Sequence, residues 1–230
     1  MIPIRDNLIS RHTPYLTYTL VALNVAIFLW DRGGSFSGQG TTFADLAMRP
    51  DQVVDAVRHF SGDAAPLVTL FTSLFLHGNL THLIGNMIFL IVFGTNVEHA
   101  LGGIRFALYY LAWGVVAGVA QIFVDPGSNI PVIGASGAIG GILGCYLLLF
   151  PGNKITFFVF PFFFFQFVIS AWIMLGVWFL WQIFFPQENV ANWAHAGGFL
   201  AGMLTVLVMG GREKVLKSVD LEHDPEAEYA

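Results

Sequence analysis

Charge is almost missing from the middle of this chain. Between Ala64 and Met209 the only Lys, Arg, Asp or Glu residues are Glu98, Arg105, Asp125, Lys154 and Glu188. They fall at intervals, as loop markers between uninterrupted apolar runs. Each run is close to the about 20 residues that cross a hydrocarbon core as a helix. Only 11% of the chain is charged and 56% is hydrophobic, where a soluble domain carries about 25% charged residues. The pattern predicts an all-α polytopic membrane protein. Runs that are continuous rather than alternating argue against a β-barrel.

Six spans are expected, at roughly Tyr15–Trp30, Leu83–Asn96, Ile104–Val124, Ser136–Phe150, Val168–Phe185 and Asn192–Met209. An even number puts both termini on one side. That side then holds Arg5, Arg11, Arg105, Lys154, Arg212, Lys214 and Lys217, and the other holds Arg32, Arg49 and Arg58. The positive-inside rule places both termini in the cytoplasm of a multi-pass plasma-membrane protein. The chain divides into a cytoplasmic segment (1–14), a membrane domain (15–210) and a charged tail (211–230) expected to lack a fold. The long outer loop Asp31–Leu80 is expected to form a cap with a short helix between Thr42 and Phe60. The Phe-rich stretch Ile155–Phe167, broken by Pro161, is expected to extend the fifth helix or to lie in the interface.

One cysteine, Cys145, leaves no intrachain disulfide possible. No cleavable signal peptide is expected, and the first span itself serves as the targeting signal. The net charge of −5 reports on solubility, and no nucleic-acid partner is expected.

Polar residues inside spans are expensive and point to function. Ser136 stands between Gly134 and Gly137, where a loop becomes the fourth helix. A helix start has free N–H groups able to hold a developing anion, although serine is also a favoured N-cap. His195 lies near the start of the sixth span, with Gly198 and Gly202 on its face. Gly137, Gly140, Gly141 and Gly144 form a small face on the fourth span. Such faces let membrane helices touch backbone to backbone, which would bring Ser136 and His195 together. His77 precedes the second span, and His82 and Asn86 share one of its faces. Those two could donate hydrogen bonds to an oxyanion. Asn24 and Gln121 read as packing residues. With both termini inside, Ser136, His195, His82 and Asn86 all sit at the outer beginnings of even-numbered spans, at one depth.

Gly134-x-Ser136-Gly137, Ala194-His195-x-x-Gly198 and His77-x4-His82-x3-Asn86 together resemble the rhomboid proteases, over about Leu67 to Met209. The resemblance implies a six-helix bundle with a long first outer loop. It implies a serine endopeptidase that cuts transmembrane protein substrates within the bilayer, often admitting them past a mobile fifth helix, and that needs no cofactor or metal. Ser136 would be the nucleophile and His195 the base. The Ser136 N–H, His82 and Asn86 would line the oxyanion hole, with His77, Gly134, Gly137 and Gly198 in support. Many members of that family carry an aromatic residue four positions after the serine, stacked on the histidine. Here that position is Gly140, so another side chain must hold the His195 ring. With no carboxylate placed in the spans to orient His195, a dyad rather than a triad is expected.

Three other readings compete. His77, His82 and His195 could supply three nitrogens to zinc, but the chain has no His-Glu-x-x-His. A transporter would place polar groups at the midplane, and here they gather at one side. A catalytically dead relative usually lacks the serine or the histidine, and both are present.

Overall fold

The computed structural model describes residues 2–9, 13–34, 43–59, 62–158, 166–187, 190–217, 219–220 and 222–223. Nine α-helices, two short 3-10 helices and five short strands follow one another among them. The α-helices are α1 (Tyr15–Asp31), α2 (Pro50–His59), α3 (Ala65–Thr72), α4 (Leu80–Leu101), α5 (Gly103–Val124), α6 (Ser136–Leu149), α7 (Ala171–Phe184), α8 (Asn192–Val208) and α9 (Arg212–Leu216). Of these, α4 and α5, at 22 residues each, are long and apolar enough to cross a membrane. α1, α6, α7 and α8 are shorter apolar helices of 14 to 17 residues.

The apolar runs are helical because nothing within them breaks the ladder, and they stop at backbone devices. Gly102, at φ +80°, ends α4 and starts α5, a conformation a side chain would strain. The sequence also places Glu98 in a loop. It lies instead inside the last turn of α4, 4% exposed. Its carboxylate accepts from Leu16 N (3.0 Å), Thr17 N (2.7 Å) and Thr17 Oγ1 (2.8 Å). These are free donors of the first turn of α1, where a negative charge is favoured.

The centre of the bundle is the α6–α8 pair. A Cβ added at Gly198 or Gly202 would stand inside the carbonyl oxygens of Gly137 or Gly141, and one at Gly144 inside that of Phe199. The two helices therefore meet backbone to backbone, as the small faces imply. α5 covers both, and Trp113 Nε1 donates to Thr205 Oγ1 at 2.9 Å.

Strands depart from the all-α expectation. β1 (Ile2–Asp6), β3 (Lys154–Phe158) and β4 (Gln166–Ser170) form an antiparallel sheet in the order β1-β3-β4, with Ile155 opposite Asp6 and Ile169. β2 (Leu8–Ile9) pairs with β5 (Glu222–His223). The Phe-rich stretch thus enters as a strand, and α7 starts at Ala171. Ile, Thr and Phe suit a pleated surface, and β1 supplies the partner that a local reading cannot see. Arg11, residues 159–165 with Pro161, Glu188 and the tail beyond 223 lie outside the described residues.

This sheet closes the end of the bundle opposite Ser136. Asp6 turns its carboxylate inward, where it accepts from Asn96 Nδ2 (2.6 Å) and from Tyr146 Oη. Asn153 Nδ2 donates in turn to Tyr146 Oη at 3.0 Å. Burial pushes the Asp6 carboxyl from 3.8 up to about 6, against the downward pull of hydrogen bonds from Tyr146, Leu8 and Asn96. A raised folded-state value favours the protonated acid in the fold. The contribution of this group to stability is therefore complete below about pH 3.8 and is lost as pH rises through about 6. Thermal unfolding of the purified protein should show that slope, and Asp6→Asn should flatten it while keeping an acceptor for Asn96 and Tyr146. An unchanged slope in the variant would assign the effect elsewhere.

Candidate active site

Ser136 is the first residue of α6, and the turn before it is built by Gly134. Gly134 has φ +116°, and its N–H donates to Ser73 O at 2.9 Å. A Cβ there would fall 2.7 Å from His82 Nε2 and 3.7 Å from Asn86 Nδ2. Glycine is thus needed twice, for the backbone angle and for room beside the His82 ring.

His195 occupies the first turn of α8, and its Nε2 lies 2.8 Å from Ser136 Oγ. The other ring nitrogen, Nδ1, lies 2.9 Å from Gln182 Oε1 on α7. Trp178, one turn earlier on α7, sets its ring 5.9 Å from the His195 ring at an interplanar angle of 31°. Gly140 cannot bear the aromatic residue its position suggests, since even a Cβ would come within 2.7 Å of the His195 carbonyl. The ring support comes from a different helix. Gln121, read from sequence as a packing residue, accepts from Ala194 N at 3.3 Å and so caps the turn that carries His195.

His82 and Asn86 reach the same place from α4. Asn79 is the N-cap of that helix, its Oδ1 accepting from His82 N at 2.8 Å. Asn86 Nδ2 donates to His82 O at 3.1 Å, which leaves its second amide hydrogen available. Arg32 holds the approach to α4 by donating to the carbonyls of His77 (2.9 Å) and Gly78 (2.8 Å). His77 is 1% exposed and stands edge-on behind His82, ring centres 5.1 Å apart.

Ser136, His195, His82, Asn86 and Trp178 all line one cavity of about 480 Å³. Its other walls are mainly apolar, with Leu70, Leu74 and Val132 among them. His77 is outside that lining. Among the described residues no three His, Cys, Asp or Glu side chains converge as a metal would require. A hydroxyl beside an imidazole nitrogen, at the start of a helix and inside a cavity, is an arrangement able to perform acyl transfer.

Gln182, Trp178, Asn79 and Arg32 carry no role in the sequence reading. Gln182 had a signal, as a lone amide in an apolar helix. Trp178 had none, since tryptophan is ordinary in such a helix.

Comparison with known proteins gives one answer. The Rhomboid domain profile matches residues 64–212, well over half of the chain. The mitochondrial Rhomboid protein 1 of Saccharomyces cerevisiae is 30% identical over 204 residues, covering 85% of this chain and 53% of the yeast protein. The Rhomboid protease GluP of Bacillus subtilis is 29% identical over 199 residues, 86% of this chain and 35% of GluP. RHOMBOID-like protein 5 of Arabidopsis thaliana is 31% identical over 146 residues, 61% of this chain and 43% of the plant protein. The chain spans about half or less of the length of these relatives. A match of this extent, with the described site inside it, makes the chain a member of the rhomboid family.

Proposed function

We propose that the protein is an intramembrane serine endopeptidase, with Ser136 as nucleophile and His195 as general base. The observation that carries the reading is the 2.8 Å contact between Ser136 Oγ and His195 Nε2 at the cavity wall. A serine hydroxyl is a weak nucleophile until a base within hydrogen-bond reach takes its proton. Oγ attacks the carbonyl carbon of the scissile bond as its proton passes to Nε2. The Ser136 N–H at the free end of α6, His82 and Asn86 then receive the oxyanion. Collapse breaks the C–N bond, and His195 returns the proton to the leaving amine. Water, activated by the same nitrogen, hydrolyses the acyl ester and frees Ser136. Gly134, Gly137 and Gly198 permit these approaches, and His77 backs His82.

In this reading α1, α4, α5, α6, α7 and α8 are the six spans of a 15–210 membrane domain. The flanking segments 1–14 and 211–230 lie in the cytoplasm. The cavity opens toward the outer face of the plasma membrane, and the substrates are transmembrane proteins. The lopsided Lys/Arg distribution supports that orientation.

The oxyanion assignment sets a magnitude. Loss of one such donor costs on the order of 10²–10³ in kcat. His82→Ala and Asn86→Ala should each lower kcat by that factor on a transmembrane substrate co-reconstituted in liposomes. The fall should be in kcat, because the contact forms in the transition state. Native rates in both variants would remove these side chains from the oxyanion hole. Absence of cleavage by the native protein across a panel of transmembrane substrates would oppose the protease reading itself.

A further inference from the structure

The face that α7 turns toward α8 is narrow. Its buried residues are Ala171, Leu175 and Gln182, and Trp178 completes the stripe at helical spacing. Elsewhere α7 exposes Trp172, Val177, Leu180, Trp181 and Phe184, each roughly half or more exposed. One polar side chain, 7% exposed, therefore sits on the single buried face of an otherwise apolar helix. Such a group is costly unless hydrogen-bonded, and its oxygen meets His195 Nδ1 at 2.9 Å.

We propose that Gln182 is a positioning residue: its amide oxygen accepts the Nδ1–H of His195 and holds the ring in the tautomer whose Nε2 can take the Ser136 proton. The inference rests on the protease reading above and deepens it. A neutral imidazole carries one N–H, and the bond made by one nitrogen decides which. With Nδ1–H donated to Gln182, the Nε2 lone pair faces Ser136 Oγ. In the opposite tautomer Nε2–H would point at the hydroxyl, and no base would be present. Among the described residues no carboxylate lines the cavity, so the amide fills the place an acid holds in a triad. An amide brings no charge to desolvate.

Trp178 belongs to the same device. It covers the His195 ring and packs on Phe199, at centroid distances of 5.9 Å for each. Both supports of the base thus come from α7.

The test uses the full chain in liposomes, with Gln182→Met, which keeps shape and length but has no amide oxygen, and Gln182→Glu. The groups facing His195 are Ser136 from α6, Trp178 and Gln182 from α7, and His82 from α4, itself titratable. Gln182→Met should lower kcat roughly 10- to 100-fold, part of the about 10⁴ that a wrong tautomer costs a triad enzyme. KM and the melting temperature should stay put. Gln182→Glu should recover activity and move the acidic limb of kcat/KM upward by about one pH unit, because a carboxylate favours the charged ring. A ¹⁵N spectrum of histidine-labelled protein reads the tautomer without turnover. It should show His195 protonated at Nδ1 in the native chain and mixed in Gln182→Met. Native kcat in Gln182→Met, an unmoved acidic limb in Gln182→Glu, or Nε2–H in the native protein would each overturn the inference. Nδ1–H in a native protein that cleaves nothing would uphold the positioning role and sink the protease reading instead.

Discussion

Ser136→Ala and His195→Ala should each lower kcat by about four to six orders of magnitude, and the double variant should be no slower than either. The size follows from the roles proposed for the two groups. Without Oγ no acyl-enzyme forms, and without Nε2 the hydroxyl keeps its proton. Since both act in one step, removing either removes the step. Additive losses would mean that the two groups serve separate steps, against the 2.8 Å contact. Both variants should fold, since each exchange only shortens a side chain that faces the cavity. Cleavage of a reconstituted transmembrane substrate, followed by gel and mass spectrometry, reads the rates.

The second large effect is on stability. Gly198→Ala should destabilise the protein by about 3 kcal/mol or more, and Gly202→Ala similarly, although alanine is the better helix former by about 1 kcal/mol. The sign is decided by what the new methyl meets. At Gly198 it meets the carbonyl of Gly137, and at Gly202 that of Gly141. These are backbone atoms inside a helix and cannot turn aside, so α6 and α8 must separate. Overpacking of a core costs about 1–3 kcal/mol even where side chains can yield. Separation also stretches the Ser136–His195 contact, so the residual activity of folded Gly198→Ala should fall as well. Gly176 on α7 is the control, because its Cβ would meet nothing within 4 Å. Gly176→Ala should be neutral or stabilising by up to about 1 kcal/mol. Unfolding of the three variants in mixed micelles gives the comparison. Equal behaviour at positions 176 and 198 would refute the backbone contact.

Much of this architecture was legible because one solvent dictates it. A helix buried in lipid must be apolar along its length, so helix positions followed from the apolar runs to within a few residues. The α6–α8 approach was legible from glycine spacing. What stayed hidden depends on distant partners. Ile155–Phe158 reads as an extension of the fifth helix or an interfacial segment until Ile2–Asp6 is placed beside it as a strand. Glu98 reads as a loop charge because its partners, the free N–H groups of α1, lie about eighty residues away in sequence. Gln182 is a lone amide in an apolar run, and only its distant partner His195 gives it a role. α7 runs the other way, so the same level of the bundle is reached near its end. The absent aromatic residue at Gly140 is resolved by the same helix, since Trp178 sets its ring 5.9 Å from that of His195.

An activated serine inside a membrane bundle can be trapped covalently. Purified protein should be incubated with a fluorophosphonate probe, in detergent and again in lipid, beside Ser136→Ala and His195→Ala. One covalent adduct is expected on the native chain, mapped to Ser136 by peptide mass, and none on either variant. A folded native protein left unlabelled in both media, or an adduct that persists in His195→Ala, would contradict an activated Ser136.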